Sequence, residues 1–193
     1  PSGCGKTTLL SLLGGLDSPE SGRIFFMGED IEKTGLIRHR RQHVSFVFQS
    51  YNLIDYLTPS ENVALTSALP PLSVLEKVGL TKEEANRNVL KLSGGQQQRA
   101  ALARALASEA PVILADEPTG NLDSKSGKIV IDALTQINRE FKKTIVMVTH
   151  DPQMASYCSR IILLKDGLIL DTLKRGESQE AFYQEIIGRM AEL

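Results

Sequence analysis

The first eight residues, PSGCGKTT, place a lysine and two threonines directly after two closely spaced glycines. They match all but the first glycine of the pattern G-x-x-x-x-G-K-[ST], in which a glycine-rich loop leads into a helix. Gly3 and Gly5 let the backbone curl so that successive amide N–H groups surround a phosphate, and the helix directs its positive end at the same anion. The Lys6 ammonium would bridge two phosphates, and the Thr7 hydroxyl would bind magnesium. The alternative is a glycine-rich turn before an ordinary helix.

The segment PVILADEPTGNLD supplies the acidic groups that a magnesium–phosphate site requires. Its apolar run at residues 112–115 predicts a strand buried on both faces of a parallel sheet, and the run ends in Asp116 and Glu117. Ligands of such sheets bind at the carboxyl ends of the strands. Asp116 would hold magnesium through a water molecule, while Glu117 would orient, or accept a proton from, the water that attacks the γ-phosphate. The alternative is a pair of acidic residues that caps a core strand.

Two further strand-like runs also end in polar residues. VSFVFQ ends in Gln49, and TIVMVTHD ends in His150 and Asp151. Gln49 could contact magnesium and the attacking water, and His150 could hydrogen-bond to the γ-phosphate. Taken singly, either residue is more typical of a turn or a helix start. Asp151 precedes a proline and is itself typical of a helix start, so it needs no catalytic role.

The stretch LSGGQQQRAALARAL predicts a second anion site that has no lysine. Ser93, Gly94 and Gly95 offer a hydroxyl and unobstructed amides at the start of a helix expected over residues 96–107. A second site without a lysine makes sense if it closes over a nucleotide that another copy holds. Two copies packed head to tail would then bury two ATP molecules between them. The alternative is a tightly packed, alanine-rich core helix.

Helix and strand signals alternate around these residues. Four leucines within residues 9–13 predict a helix that stops at Gly14 and Gly15, and apolar residues within 129–137 predict an amphipathic helix. A turn precedes the strand RIFFMG, and a second turn at Asp166 and Gly167 predicts a hairpin. The chain is expected to end in a helix with apolar residues Phe182, Ile186, Ile187 and Met190 on one side. This alternation predicts an α/β fold with a mainly parallel central sheet flanked by helices.

The segment at residues 51–91 predicts short helices rather than strands. Thr58 and Glu61 form a capping box with a proline at the first helical position. Thr81 and Glu84 repeat the same box. These helices would either present the glycine-rich start of the following helix or contact a partner directly.

Composition narrows the class of protein. A chain of 193 residues fits one domain, and 22 Lys+Arg against 23 Asp+Glu argue against a nucleic-acid partner. Two cysteines are too few for a disulfide framework and fit a reducing cytosol. No apolar run approaches the roughly 20 residues that span a bilayer. The basic stretch RHRRQH at residues 38–43 could face anionic lipid, although we favour a solvated charged face.

Five stretches together resemble the ATP-binding cassette (ABC) family. SGCGKTT, FVFQ, LSGGQQQR, ILADEPTGNLD and VTHD occur in the order and approximate spacing of that family, from residue 1 to about residue 167. PTGNLD together with FQSYNLIDYLTPSENV is most similar to the subfamily of macrolide export, lipoprotein release and bacitracin-type peptide resistance. The resemblance implies a P-loop NTPase fold in a single ATPase domain, residues 1–193, with a small helical subdomain at residues 51–91.

The resemblance also implies roles for individual residues. Residues 3–8 would be the Walker A loop, residues 92–96 the signature, and residues 121–123 the D-loop. The catalytic residues would be Lys6, Gln49, Glu117 and His150. The nucleotide-binding residues would be Ser2, Gly3, Cys4, Gly5, Lys6, Thr7, Thr8, Ser93, Gly94, Gly95 and Gln96. The magnesium-binding residues would be Thr7, Gln49 and Asp116. We interpret the Cys4 side chain itself as occupying a position that the motif leaves open.

The expected function is an ATP-hydrolysing subunit of a membrane transporter that uses ATP and Mg²⁺. Its expected partners are a second copy of the subunit and separate permease subunits, and its expected place is the cytoplasmic face of the plasma membrane. The alternative is an ABC-type ATPase that drives a non-transport signalling partner in the cell envelope. The family normally has strands and an adenine-stacking aromatic residue upstream of this Walker A loop, so we expect the chain as written to bind nucleotide weakly. The segment at residues 63–92 is also short for the family.

Overall fold

The computed structural model describes residues 5–67 and 69–191. Its helices are α1 (Lys6–Leu13), α2 (Ile31–Thr34), α3 (Leu36–Gln42), α4 (Pro59–Ala64), α5 (Pro71–Lys77), α6 (Lys82–Ala85), α7 (Gly94–Ala107), α8 (Ser124–Phe141), α9 (Pro152–Ala155) and α10 (Gln179–Ala191), and a 3₁₀ turn covers Val89–Lys91. Its strands are β1 (Phe25–Phe26), β2 (Glu29–Asp30), β3 (Val44–Val47), β4 (Val112–Asp116), β5 (Thr144–Val148), β6 (Arg160–Lys165) and β7 (Leu168–Lys174). The predictions for Ser2, Gly3 and Cys4 lie outside the described residues.

A parallel sheet of three strands, in the order β3–β4–β5, confirms the predicted fold class. The central strand β4 has its middle residues, 113–115, fully buried, as expected of a strand covered on both faces. The register aligns Val47 with Ala115 and Asp116 with Val148, so the three strands end at one edge. The chain therefore leaves the sheet at that edge close to Gln49, Glu117 and His150.

Successive residues of β4 face opposite sides of the sheet, and each side has its own core. Ile113 and Ala115 belong to the larger core cluster, which α7 and α8 cover. Leu114 belongs to a smaller cluster with Leu10 of α1 and Val44 of β3. Side chains alternate between the two faces of a strand, so consecutive residues of β4 join different clusters. α1 therefore packs on the opposite face of the sheet from α7.

The two long helices start close to where the sequence predicts, with one difference. α7 begins at Gly94, two residues earlier than expected, because Ser93 is the N-cap and both glycines join the first turn. α8 starts after Asp123, whose carboxylate accepts hydrogen bonds from the amides of Lys125 and Ser126. α8 is amphipathic as predicted, although Ile129 is 39% exposed.

Residues 51–91 form short helices, as predicted. Both capping boxes are present, with the side chains of Thr58 and Thr81 accepting from the amides of Glu61 and Glu84. Val63 of α4 and other apolar residues of this segment join the same core cluster as α7. The segment is therefore packed against the helix that follows it. Its status as a separate inserted subdomain stays a prediction.

The last elements form an antiparallel hairpin covered by α10. Asp166 and Gly167 both have positive φ angles, 49° and 77°, which is the geometry of a tight two-residue hairpin. Phe182 and Ile186 of α10 are buried against the hairpin, but Ile187 is 38% exposed and is not part of the buried side. The predicted strand RIFFMG is reduced to the two residues of β1, because the chain turns at once into β2.

The basic stretch at residues 38–43 lies mostly in α3 and is not uniformly solvated, which corrects the predicted charged face. His39 is only 2% exposed, and its Nε2 lies 3.0 Å from the carbonyl oxygen of Leu13 at the end of α1. The guanidinium of Arg40 donates to the carbonyl oxygen of Gly15. These groups satisfy carbonyls that the last turn of a helix leaves without partners.

The histidine pair in this region predicts a pH-dependent stability. His39 Nδ1 lies 3.1 Å from His43 Nδ1, and burial, helped by the charges of His39 and Arg38 and opposed by Glu29, lowers the pKa of His43 below 6.5. The unfolded chain therefore binds a proton at His43 more readily than the folded protein does. The free energy of unfolding is unaffected by this histidine above about pH 6.5, and it decreases as the pH falls from there toward the folded pKa of His43. Urea unfolding at pH 7.5 and 5.5 should show a smaller loss for His43→Asn than for the wild type. Equal losses would contradict the assignment.

Candidate functional site

The start of α1 has the geometry of an anion-binding helix end. Gly5 caps the helix in the left-handed conformation, with φ of 89°, which glycine adopts without strain. Lys6 and Thr7 occupy the first turn, where amide groups have no partner inside the helix. At the other end, a Cβ on Gly14 would lie 2.0 Å from the ring of Phe46, so α1 lies close against β3. A glycine there permits close packing besides ending the helix.

Asp116, the last residue of β4, meets α1 through its carboxylate. The Thr7 hydroxyl hydrogen-bonds to this carboxylate, yet its Oδ1 is buried and has no partner among the residues that the structure describes. Burial raises the pKa of Asp116, and the nearby Glu117 charge raises it further, while Thr7 and Lys6 act in the opposite direction. A buried, unpaired carboxylate oxygen is costly unless another group binds it.

This pair of oxygen donors fits a magnesium ion. Hydroxyl and carboxylate oxygens are the ligands that Mg²⁺ prefers, and it usually takes few from the protein and the rest from water and phosphate. Within residues 5–67 and 69–191, no group of three or more His, Cys, Asp or Glu residues could hold a metal. The donor chemistry of Thr7 and Asp116 suits an ion that takes its remaining ligands from water and phosphate.

Glu117 follows Asp116 and is held in an unusual backbone conformation. Its φ is 45°, its amide donates to the carbonyl of Val148 at 2.9 Å, and its carbonyl accepts from the amide of Gly120 at 3.0 Å. Its Oε2 lies 2.6 Å from Nδ1 of His150, which follows β5. Non-glycine residues with positive φ are uncommon and often mark functional sites. The left-handed turn brings the Glu117 carboxylate to His150 at the edge of the sheet.

Gln49 is tied to the segment that follows Glu117. Nε2 of Gln49 donates to Oδ1 of Asn121 at 3.2 Å, and Nδ2 of Asn121 donates to the backbone carbonyl oxygen of Gln49 at 3.1 Å. A Cβ placed on Gly120 would lie 2.8 Å from Gln49 Nε2 and 3.3 Å from Glu117 Oε2. The side chains of Gln49 and Glu117 thus approach each other over the bare backbone of Gly120.

Gly120→Ala tests that close approach. The added methyl group would displace the flexible end of Gln49, so we expect kcat to fall about tenfold while the free energy of unfolding changes by less than about 0.5 kcal/mol. Gly176→Ala is the matched control, since a Cβ there meets nothing within 4 Å. Steady-state ATPase assays and thermal melts of both variants make the comparison. Equal rates for the two variants would show that this contact has no part in turnover.

The start of α7 is a capped helix end with two glycines in close contact with other elements. The Ser93 hydroxyl accepts from the amide of Gln96, and Gln96 Oε1 accepts from the amide of Ser93 at 2.7 Å. A Cβ on Gly94 would lie 2.7 Å from the Tyr51 hydroxyl, and a Cβ on Gly95 would lie 3.0 Å from Ser126. A side chain at Gly94 would have to displace the Tyr51 hydroxyl, and one at Gly95, which is buried, would crowd Ser126, so this turn packs as closely as it does only with glycine.

The comparisons with known proteins bear directly on these motifs. A family model described as ABC transporter matches residues 1–120. The ABC transporter ATP-binding protein YxdL of Bacillus subtilis is 44% identical over 206 residues, covering all of this chain and 80% of that protein. The chain belongs to the ABC transporter family. It is an ATP-binding and ATP-hydrolysing subunit of this family, as the sequence predicts.

Two further similarities refine the family assignment. The bacitracin export ATP-binding protein BceA of Halalkalibacterium halodurans is 43% identical, covering 96% of this chain and 79% of that protein. A solved dimer of the cassette MJ0796 from Methanocaldococcus jannaschii, in a post-hydrolysis state bound to ADP and Pi, is 42% identical with a TM-score of 0.81. That match covers 91% of this chain and 83% of the solved chain. The bacitracin-type resemblance of the sequence agrees with the first of these.

The ABC cassette brings most of the expected site residues into two groups. Lys6, Thr7 and Asp116 interact in the first group, and Glu117, His150 and Gln49 adjoin them at the same edge of the sheet. The second group is the signature, residues 92–96, whose first helical turn contacts Tyr51, Leu122 and Ser126. The structure gives Thr8, in the first turn of α1, an exposed position. The individual roles of all these residues stay predictions.

The turn after Gln49 in the ABC cassette is held by a residue that the sequence did not single out, Arg104 of α7. Tyr51 and Asn52 both have positive φ, 64° and 48°, and the half-buried guanidinium of Arg104 in α7 donates to both carbonyl oxygens. Burial lowers the pKa of Arg104. The pairing spans more than fifty residues of sequence and therefore has no local signal. It joins the Gln49 segment to the signature helix.

Within the described part of the cassette, no helix has both the length and the apolar character needed to cross a membrane.

Proposed function

We propose that two copies of this chain associate head to tail and bury two Mg²⁺–ATP molecules, each between the Walker A loop of one copy and the signature of the other. The observation that supports this most directly is the start of α7, where Ser93 and two glycines present a capped helix end that has no lysine. A helix N-terminus of this kind binds anions, and each copy already has one phosphate cradle at α1. The related cassette solved as a dimer with ADP and Pi fits the same arrangement.

In the proposed reaction, water attacks the γ-phosphate in line with the bond that breaks. Lys6 and the signature amides of the other copy hold the phosphate oxygens and stabilise their negative charge. The Glu117 carboxylate orients the water and accepts its proton, and His150, 2.6 Å away, fixes that carboxylate. Gln49 closes over the same edge through its pairing with Asn121.

Thr7 and Asp116 are the residues that would hold the magnesium ion, with Gln49 as a further contact. When bound, the ion offsets negative charge on the β- and γ-phosphates. The buried Oδ1 of Asp116, which has no partner in the described part of the chain, supports this placement.

The proposed membrane partner is a separate permease that docks on residues 51–91. Exposed apolar side chains there include Tyr56 at 81%, Leu65 at 61% and Leu90 at 65%. Large exposed apolar residues in one segment are typical of an interaction surface. The subunit would lie on the cytoplasmic face of the plasma membrane and move its cargo by export or extraction, with the choice of cargo made mainly by the permease.

Analytical ultracentrifugation with and without ATP tests the two-copy proposal. The full-length protein carrying a disabled Glu117 should be monomeric without nucleotide and dimeric with saturating Mg²⁺–ATP. Gly94→Val, which places a branched side chain against Tyr51, should bind ATP as a monomer but fail to dimerise. A chain that stays monomeric with Mg²⁺–ATP even beside its permease would overturn the proposal.

A further inference from the structure

Two capping boxes in this chain are joined to each other by one hydrogen bond. In α6, Oε2 of Glu84 accepts from the amide of Thr81 at 2.7 Å. In α7, Oε1 of Gln96 accepts from the amide of Ser93 at 2.7 Å. The other ends of the two side chains meet, since Nε2 of Gln96 donates to Oε1 of Glu84 at 2.6 Å. A continuous path of hydrogen bonds therefore runs from the α6 cap to the start of the signature helix.

The chemistry of the two side chains fixes the direction of this path. A glutamine amide has one acceptor end and one donor end, and either can face a given neighbour when nothing selects between them. An ionised glutamate accepts only, so the Gln96 amide must direct its Nε2 toward Glu84. Its Oε1 then faces the Ser93 amide, which is the orientation that the capping box requires.

The surroundings of Glu84 keep its carboxylate ionised. The Thr81 amide is the main cause that lowers the pKa of Glu84, burial opposes it, and hydrogen bonds from Gln96 and Thr81 and the charge of Arg99 lower it further. Glu84 is half-buried in the same region. The acceptor-only state that orients Gln96 is therefore the state present at neutral pH.

We propose that Glu84 is a positioning residue for ATP hydrolysis, which orients the Gln96 amide so that the first turn of α7 is held ready for the γ-phosphate bound by the opposing copy. This inference rests on the proposed two-copy function. The first amides of α7 have no partner inside the helix, and the cap sets the direction in which they point. A glutamate at residue 96 would cap the helix equally well but would add a negative charge beside the incoming phosphate.

The hydrogen-bond path lends itself to a double-mutant cycle. In Glu84→Gln, the single amide oxygen at residue 84 faces two donors, the Thr81 amide and Nε2 of Gln96. Gln96→Glu places two carboxylates in contact where a donor and an acceptor now meet. The combined exchange, Glu84→Gln with Gln96→Glu, restores a donor opposite an acceptor along the whole path. Glu83→Gln is the matched control, because Glu83 is the adjacent residue, 81% exposed, and contacts Arg87 instead.

Each variant of the full-length protein is measured for thermal stability, for binding of a fluorescent ATP analogue by the monomer, and for kcat and KM in ATP hydrolysis. We expect Glu84→Gln to lower kcat about tenfold with unchanged monomer binding, since its effect is on the opposing site. Gln96→Glu should cost more than tenfold in kcat. The exchange variant should melt at the wild-type temperature. Its kcat should be at least about fivefold higher than that of Gln96→Glu. Glu83→Gln should stay within about twofold of the wild type.

Four results would overturn the inference. Effects of the two single changes on kcat that simply multiply would show that Glu84 does not act through Gln96. A lowered melting temperature with unchanged kcat would reduce the contact to helix capping alone, and an unchanged kcat with unchanged stability would leave the contact without a role. A wild-type protein that neither hydrolyses ATP nor dimerises overturns the proposed function together with this role. A normal wild type with multiplicative variants overturns the Glu84 role alone.

Discussion

Glu117→Gln is expected to slow ATP turnover by at least about 10²-fold while ATP binding is retained. The amide has the shape of the carboxylate, and its oxygen still accepts a hydrogen bond from Nδ1 of His150, so the edge of the sheet keeps its geometry. What the amide lacks is the ability to accept a proton from the attacking water. With hydrolysis blocked, the ATP-bound dimer should accumulate. Steady-state phosphate release and sedimentation with Mg²⁺–ATP measure both effects.

Glu140→Gln provides the control for this change. Glu140 is an exposed residue in α8 that contacts Gln136 within its own helix, so its neutralisation should leave turnover unaffected. A Glu117→Gln protein that hydrolyses ATP within about threefold of the wild type would show that the proton is accepted elsewhere. His150 would then be the first group to test.

The sheet that carries the site could be predicted from the sequence because its signals are local. Three β-rich apolar runs predict β3, β4 and β5, and parallel strands have their carboxyl ends at one edge. That rule alone placed Gln49, Asp116 and His150 together. The left-handed backbone of Glu117 could not be predicted, because it depends on a hydrogen bond to Val148 in the neighbouring strand.

The same contrast between local and distant contacts explains which features of the helices could be predicted from the sequence. Both capping boxes in residues 51–91 were predicted correctly, since each involves residues three positions apart. The link between Glu84 and Gln96 was missed because it joins two boxes that are each complete by themselves. The burial of His39 was missed for a similar reason, because its partner is the carbonyl of Leu13 in a helix distant in sequence.

Several of these distant contacts meet at one place, the start of α7. Tyr51 reaches it from the turn after Gln49, Ser126 from the helix after the D-loop, and Glu84 from α6. Arg104, in the last turn of α7, donates hydrogen bonds to the carbonyl oxygens of the turn that carries Tyr51. Packed contacts therefore connect the residues around Gln49 to the turn that we propose binds the opposing nucleotide.

Asp116→Asn is expected to reduce Mg²⁺-dependent hydrolysis by at least about 10²-fold, and to leave the nucleotide-free protein at least as stable as the wild type. In the proposed site the carboxylate would provide the charge that holds magnesium, and an amide oxygen is a far weaker ligand. In the nucleotide-free protein the same charge is unfavourable, because burial disfavours the ionised form and Oδ1 has no partner in the described part of the chain. Removing it eliminates that cost.

The pH dependence of stability separates this explanation from a general loss of structure. Burial raises the pKa of Asp116 above its usual value of 3.8, so the folded protein holds this proton more firmly than the unfolded chain. The stability advantage of Asp116→Asn is therefore full above the folded pKa and shrinks as the pH falls through it toward 3.8. Asp132→Asn, at an exposed residue paired with Lys128, should show no such advantage and normal turnover. An Asp116→Asn protein that melts well below the wild type at pH 7 would show that the carboxylate stabilises the fold. That result would contradict the assignment of its Oδ1 to magnesium binding.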